Sequence, residues 1–261
     1  MNTSKKLIRP LTLVAVILLL LLVSHISFAQ TSPRVKNVVI VHGAFVDASG
    51  WEDVYQILKK DGYQVTLVQN PLTSLEDDAA ATARALGKQD GPAILVGHSW
   101  GGVVISRAGN SPKVAALVYV AAFVPAVGES VIALLQSAPP LPVNGILPPD
   151  DKGLIYFDKS KFRECFAADL SEGKSSFMAD AQAPIALKSF VSPLTQAAWK
   201  TKPSFAIVAS EDKSINPDLE RTMYKRSGAA VTEIKASHAV YISQPKAVAA
   251  VIEKAAETAN K

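Results

Sequence analysis

The amino-acid sequence predicts an α/β protein built on a mostly parallel six-stranded sheet with helices on both faces. Three observations carry this. Short β-branched apolar runs recur at residues 38–41, 65–68, 93–96, 114–120, 205–209 and 230–234. Continuous apolar runs of that length fit strands buried on both faces. The stretches between the first four have helical period, and the first three runs begin 27 and 28 residues apart, the length of a βαβ crossover.

Trp51, Val54, Tyr55 and Leu58 follow the first strand at i, i+3, i+4, i+7 spacing, and Gly62 stops that helix. Ser74 with Asp77 three residues on has the form of an N-cap before the second helix. Residues 100–108 read as a helix directly after the third strand. The last helix opens at Pro245, with Val248, Val251, Ile252 and Ala255 on one face. Between 128 and 198 the strand rhythm fails, and residues 138–149 hold five prolines. A structureless loop of that length is improbable inside a compact domain, so an inserted cap of short helices is expected over the sheet's C-terminal edge.

The chain has 261 residues, 49% of them hydrophobic and 19% charged, enough apolar material for one large domain and too much for a disordered chain. Its formal charge of +4 comes mostly from the first 29 residues, which carry Lys5, Lys6 and Arg9 and no acid. The remaining 232 residues balance to 24 − 23 = +1, which supplies no electrostatic drive toward nucleic acid. The single cysteine, Cys165, excludes an internal disulfide and a Cys-rich metal site.

The basic start is followed by an apolar run at 11–23 and by Ser27-Phe28-Ala29, small residues at the two positions a signal peptidase reads before Gln30. The run is short for a bilayer span. Residues 1–29 are therefore expected to be a signal peptide. The domain at 30–261 would be exported to the periplasm or secreted, with no membrane attachment after cleavage. An uncleaved anchor is the competing reading.

Gly97-His98-Ser99-Trp100-Gly101 matches G-x-S-x-G between a strand and a helix. That context presents a serine on a sharp, strained turn, and small flanking residues permit it. A serine hydroxyl needs a base. Of four histidines, His25 falls in the leader, His42 ends the first strand, and His98 beside the serine is structural by position. His238 follows the last strand, at the edge where open α/β sheets hold their sites. The base in turn needs a carboxylate, for which Asp212, Glu211 and Glu129 all follow strands. Oxyanion donors are expected from the N–H groups of Trp100, after the nucleophile, and Ala44, in the loop after the first strand. Phe45 and Phe123 are candidate substrate-binding residues. No metal site or dinucleotide fingerprint is found, and no cofactor is expected.

These residues resemble the α/β-hydrolase superfamily over most of 35–258, and most of all its small cofactor-free bacterial members and the plant methylesterase/hydroxynitrile lyase group. The matching stretches are Val41-His42-Gly43-Ala44, Gly97-His98-Ser99-Trp100-Gly101-Gly102, Ala121-Ala122-Phe123-Val124-Pro125, Ser210-Glu211-Asp212-Lys213 and Ser237-His238. The resemblance implies Asp212, not Glu211, as the acid of a Ser99–His238–Asp212 triad. It also implies cleavage of a small carboxylic ester through an acyl-enzyme. The similar lyases carry threonine at the position of Gly43 and lysine at that of Ala239, which favours hydrolysis over cyanohydrin cleavage here. A receptor-like member with little turnover, or a lyase or amidase using the same serine, are the alternatives.

Overall fold

The computed structural model describes residues 35–260. The leader expected at 1–29 lies outside the described residues. The chain forms β1 (Asn37–Val41), α1 (Glu52–Lys60), β2 (Gln64–Val68), α2 (Leu75–Gly87), β3 (Ala93–Ser99), α3 (Gly101–Ala108) and β4 (Val114–Ala122). After a long intervening segment come β7 (Ser204–Ala209), α8 (Pro217–Ser227), β8 (Ala230–Ile234), a short α9 (Val240–Ser243) and α10 (Pro245–Ala259).

The six long strands make one sheet in the order β2-β1-β3-β4-β7-β8. Every pairing in it is parallel. Alternate residues feed two separate cores, as a period-2 strand requires. Val38, Ile40, Ile94 and Val96 pack with Trp51, Val54 and Leu58 and with Val248, Val251 and Ile252 of α10. Val39, Val41 and Leu95 pack on the other side with Val103 and Val104 of α3. Each fully buried aliphatic side chain of α10 contributes about 1.5–3 kcal/mol, so its apolar stripe is what seats it. Ser74 caps α2 as its spacing predicts, Oγ accepting the Asp77 N–H at 3.1 Å.

The segment between β4 and β7 contains α4 (Val131–Gln136), α5 (Lys159–Phe166), α6 (Glu172–Asp180) and α7 (Leu187–Val191). It also holds two strands that sequence periodicity missed, β5 (Leu154–Ile155) and β6 (Ile185–Ala186), paired antiparallel. At two residues each they are too short to show a period. Among the described residues, no helix is long and apolar enough to cross a membrane.

The order in which the chain adds strands reverses at β1, because β2 lies on one side of it and β3 on the other. Open α/β sheets hold ligands in the crevice beyond such a switch point. The register Val41↔Gly97 brings the loop after β1 directly beside the end of β3.

Candidate active site

Ser99 ends β3 with φ of 52°, in the left-handed region that costs a non-glycine residue about 1–3 kcal/mol. The turn is held because the neighbouring backbones leave no room to relax. A Cβ on Gly97 would stand 2.5 Å from the Gly101 carbonyl oxygen, so only glycine lets the chain double back there. A register shift in the β3–β4 pairing falls between His98 and Ser99, which then pairs with Ala122, and the Phe123 N–H donates to the Ser99 carbonyl at 3.2 Å. Strand pairing thus runs through Ser99 itself, three residues beyond the apolar run at 93–96, before α3 begins at Gly101.

β7 and β8 deliver the acid and the base. Their register pairs Ala209 with Ile234, and the two loops stay together beyond it through Ser210 N–H to Ile234 O and Glu211 N–H to Ala236 O. Asp212 and His238 therefore leave the same edge side by side. His238 Nδ1 donates to Asp212 Oδ2 at 2.6 Å, with 1% and 3% of the two residues exposed. Asp212 Oδ1 accepts the Ser214 and Ile215 N–H groups at 2.6 and 2.9 Å, which fixes the carboxylate plane. With its Nδ1 proton committed, His238 keeps Nε2 as an acceptor.

The rival carboxylates lie elsewhere. Glu211 pairs with Lys235 at 3.5 Å on the surface. Glu129 forms a two-pronged pair with Arg226 and accepts the Ala126 N–H.

The remaining histidines act on the backbone. His98 Nε2 donates to the His238 carbonyl at 3.0 Å, tying the serine turn to the histidine loop. Burial holds its pKa well below the usual histidine value, so the ring is neutral. His42 Nε2 accepts the Asn70 N–H at 2.9 Å, which leaves Nδ1 to donate to the Gly43 carbonyl at 2.8 Å. Burial lowers its pKa too. A trans peptide aims its N–H opposite its C=O. The Gly43 carbonyl turns to the His42 ring, so the Ala44 N–H points away from it.

One cavity of about 20 Å³ gathers Ser99, His238, Ala44, Trp100, Phe45 and Phe123. Phe45, at φ of 65°, stands edge-on to Phe157 at 5.4 Å. The segment between β4 and β7 closes this cavity with Val131, Leu135, Ile146, Phe157, Phe166 and Phe190, none of which the sequence singled out. A larger cavity of about 340 Å³ adjoins it, sharing Leu135, Ile146, Phe190 and Ser214, and its walls are mainly aliphatic residues and the prolines at 139, 140 and 149.

Sequence reading also missed three carboxylates behind the site. Asp78 accepts the Trp100 indole N–H at 2.7 Å. Asp169 accepts both the Ser237 N–H and its hydroxyl, just before His238. Glu220 is buried beside Asp212. A signal existed for two of them. Asp78 shares the buried face of α2 with Leu75, Thr82 and Leu86, and Glu220 shares that of α8 with Leu219, Met223 and Tyr224. A charge in an apolar row needs a partner.

Residues 38–251 match the model of the alpha/beta hydrolase family. A pyrethroid hydrolase of Sphingobium wenxiniae is 30% identical over 247 residues, 84% of this chain and 86% of that protein. Methylesterase 7 of Arabidopsis thaliana is 36% identical over 106 residues, 34% of this chain and 41% of the relative. A crystal structure of a pyrethroid hydrolase superposes with a TM-score of 0.74 at 26% identity, covering 87% of this chain and all of the other.

Proposed function

This chain belongs to the alpha/beta hydrolase family, and on that premise we propose that it is a serine carboxylesterase acting on a small-molecule ester with a large apolar group. The observation that carries the reading is the buried Asp212–His238 pair at 2.6 Å beside a serine in strained backbone, with His238 and Ser99 lining one cavity.

In this reading His238 takes the Ser99 hydroxyl proton at Nε2 as Oγ attacks the ester carbonyl. The Ala44 and Trp100 N–H groups receive the oxyanion. The tetrahedral adduct collapses as His238 returns the proton to the departing alcohol oxygen. Water, deprotonated by the same imidazole, then attacks the acyl-Ser99 ester and releases the acid. Asp212 holds the Nδ1 proton throughout and offsets the imidazolium charge. The substrate class follows from the walls: aromatic rings close the reacting chamber, and the adjoining cavity lies within the range of about 300–1,000 Å³ typical of drug-sized ligands. Relatives named for pyrethroid hydrolysis support the same class. The basic, apolar and small-residue order of 1–29 supports export of the enzyme.

The test is a series of p-nitrophenyl esters from acetate to laurate, with Ser99→Ala as the control. Turnover should rise beyond acetate as the chain enters the larger cavity, and Ser99→Ala should lose activity on the order of a millionfold. Tight binding of these esters without product would assign the receptor-like alternative instead.

A further inference from the structure

Glu220 sits on α8 with no solvent exposure. Its Oε2 accepts the Ala209 N–H at 3.3 Å, the last residue of β7. Oε1 is fully buried and receives no N–H or O–H. Asp212 donates its own N–H to the carbonyl of the same Ala209 at 3.1 Å, so the two buried acids flank one residue at the end of β7, where their carboxyls interact.

Two buried carboxylates in contact cannot both be ionised, since like charges at that distance repel strongly and neither has solvent to screen it. One proton must lie between them. Asp212 is the poorer site for it. Its carboxylate already accepts two backbone N–H groups and the His238 Nδ1–H, filling three of about four lone-pair positions. Glu220 has one weak donor and an empty Oε1. Burial, reinforced by the Asp212 charge, holds its carboxyl well above the usual carboxylate range. The other groups around it do not reverse this. Tyr224, one turn on, donates its hydroxyl to the Ala122 carbonyl and stays neutral, and Tyr119 behind it is bonded to Ser106. Arg221 is turned outward onto Glu233 and Asp218.

We propose that Glu220 is a positioning residue, its carboxylic acid donating a hydrogen bond through Oε1 to the Asp212 carboxylate and so completing the shell that holds His238. The inference rests on the serine-esterase reading for its kinetic consequence, though not for the protonation itself. A neutral donor steadies Asp212 without adding charge. A second ionised carboxylate would instead increase the negative potential at the imidazole and favour its protonated, unreactive form.

The experiment compares Glu220→Gln and Glu220→Leu in the full chain. Difference infrared spectra at pH 7 of wild type against Glu220→Gln read the proton directly, with no need of turnover: the carbonyl stretch of a protonated acid should vanish in the variant. Glutamine keeps a donor toward Asp212 and an acceptor for Ala209, so the acid limb of kcat/KM should stay within about 0.3 of the wild-type pH. Leucine removes the donor. Its kcat should fall at least about tenfold at unchanged KM, with the acid limb moved to higher pH because Asp212 then bears its full charge toward the imidazole. A missing acid band, or a Glu220→Gln acid limb moved about one pH unit lower, would show an ionised Glu220 and overturn the proposal. Wild-type kcat and acid limb in a folded Glu220→Leu would overturn it too. Should the leucine variant not fold, the infrared band and the glutamine profile decide alone. Ester turnover surviving in Ser99→Ala would sink the esterase reading but leave the infrared result standing.

Discussion

The indole N–H of Trp100 donates to Asp78 Oδ2 at 2.7 Å, so the residue that follows the candidate nucleophile is held by a buried carboxylate. The second oxygen accepts the Leu72 N–H at 2.8 Å, in a residue with φ of 59° whose own carbonyl accepts from Ala186 of β6. One side chain therefore links the serine turn, the loop before α2 and the segment between β4 and β7. Without it both donors would lose their acceptor at once, one of them in strained backbone.

Burial pushes the Asp78 pKa up to about 6, against the partial opposition of those two hydrogen bonds. Its folded value lies above its unfolded value, so the folded protein binds the proton more tightly. The associated stability is fully present below about pH 4 and is lost as pH rises through about 6. Asp78→Asn keeps an acceptor for the indole and never ionises. Thermal melts from pH 4 to pH 8 should show the asparagine variant gaining on wild type as pH rises. Asp78→Ala, which strands both donors, should melt lower at every pH. A constant Tm difference between wild type and Asp78→Asn across that range would refute the ionisation.

Asp212→Asn should reduce turnover by about ten-thousandfold, because a neutral amide favours the wrong imidazole tautomer. Glu211→Gln and Glu129→Gln should stay close to wild type, since the first carboxylate is paired to Lys235 at the surface and the second to Arg226. Steady-state kinetics on one ester decide the assignment. It fails if either glutamine variant is the crippled one.

Gly43 is the position where the similar lyases carry threonine. Here a Cβ would meet the Ser99 Cβ and His98 Nδ1, each at 2.9 Å, with no flexible side-chain end to give way. Gly43→Ala should displace the peptide that bears the Ala44 N–H. Loss of one oxyanion donor costs on the order of 10²–10³ in kcat, so a fall of that size at similar KM is expected. Near-normal kcat would remove the Ala44 N–H from the oxyanion site.

Export predicts a mature chain beginning at Gln30. Intact-mass measurement of protein recovered from the periplasm or culture medium checks it. Retention of residues 11–23 in the recovered protein would favour an uncleaved anchor.

The sequence alone was enough for the sheet: β1, β3, β4 and β7 are buried on both faces and so are continuously apolar, βαβ spacing makes them parallel, and the edge strands β2 and β8, partly exposed, still carry alternating apolar residues. It singled out Ser99 and His238 as candidates as well: a strained turn needs glycines around it, and the other histidines fall at positions that make them structural. Among Asp212, Glu211 and Glu129 the sequence pattern did not choose, since every candidate follows a strand. In the tertiary structure the β7–β8 register brings the loops that carry 211–212 and 238 together, and there the Asp212 carboxylate meets His238 while Glu211 turns out to Lys235 and Glu129 is held by Arg226. The aromatic lining from Phe157, Phe166 and Phe190 lay in a segment without period, where each ring's direction depends on contacts distant in the chain. Asp78 and Glu220 were visible only as charges in apolar helical rows. What each one answers, an indole N–H in one case and a second carboxylate in the other, is decided by packing across the fold.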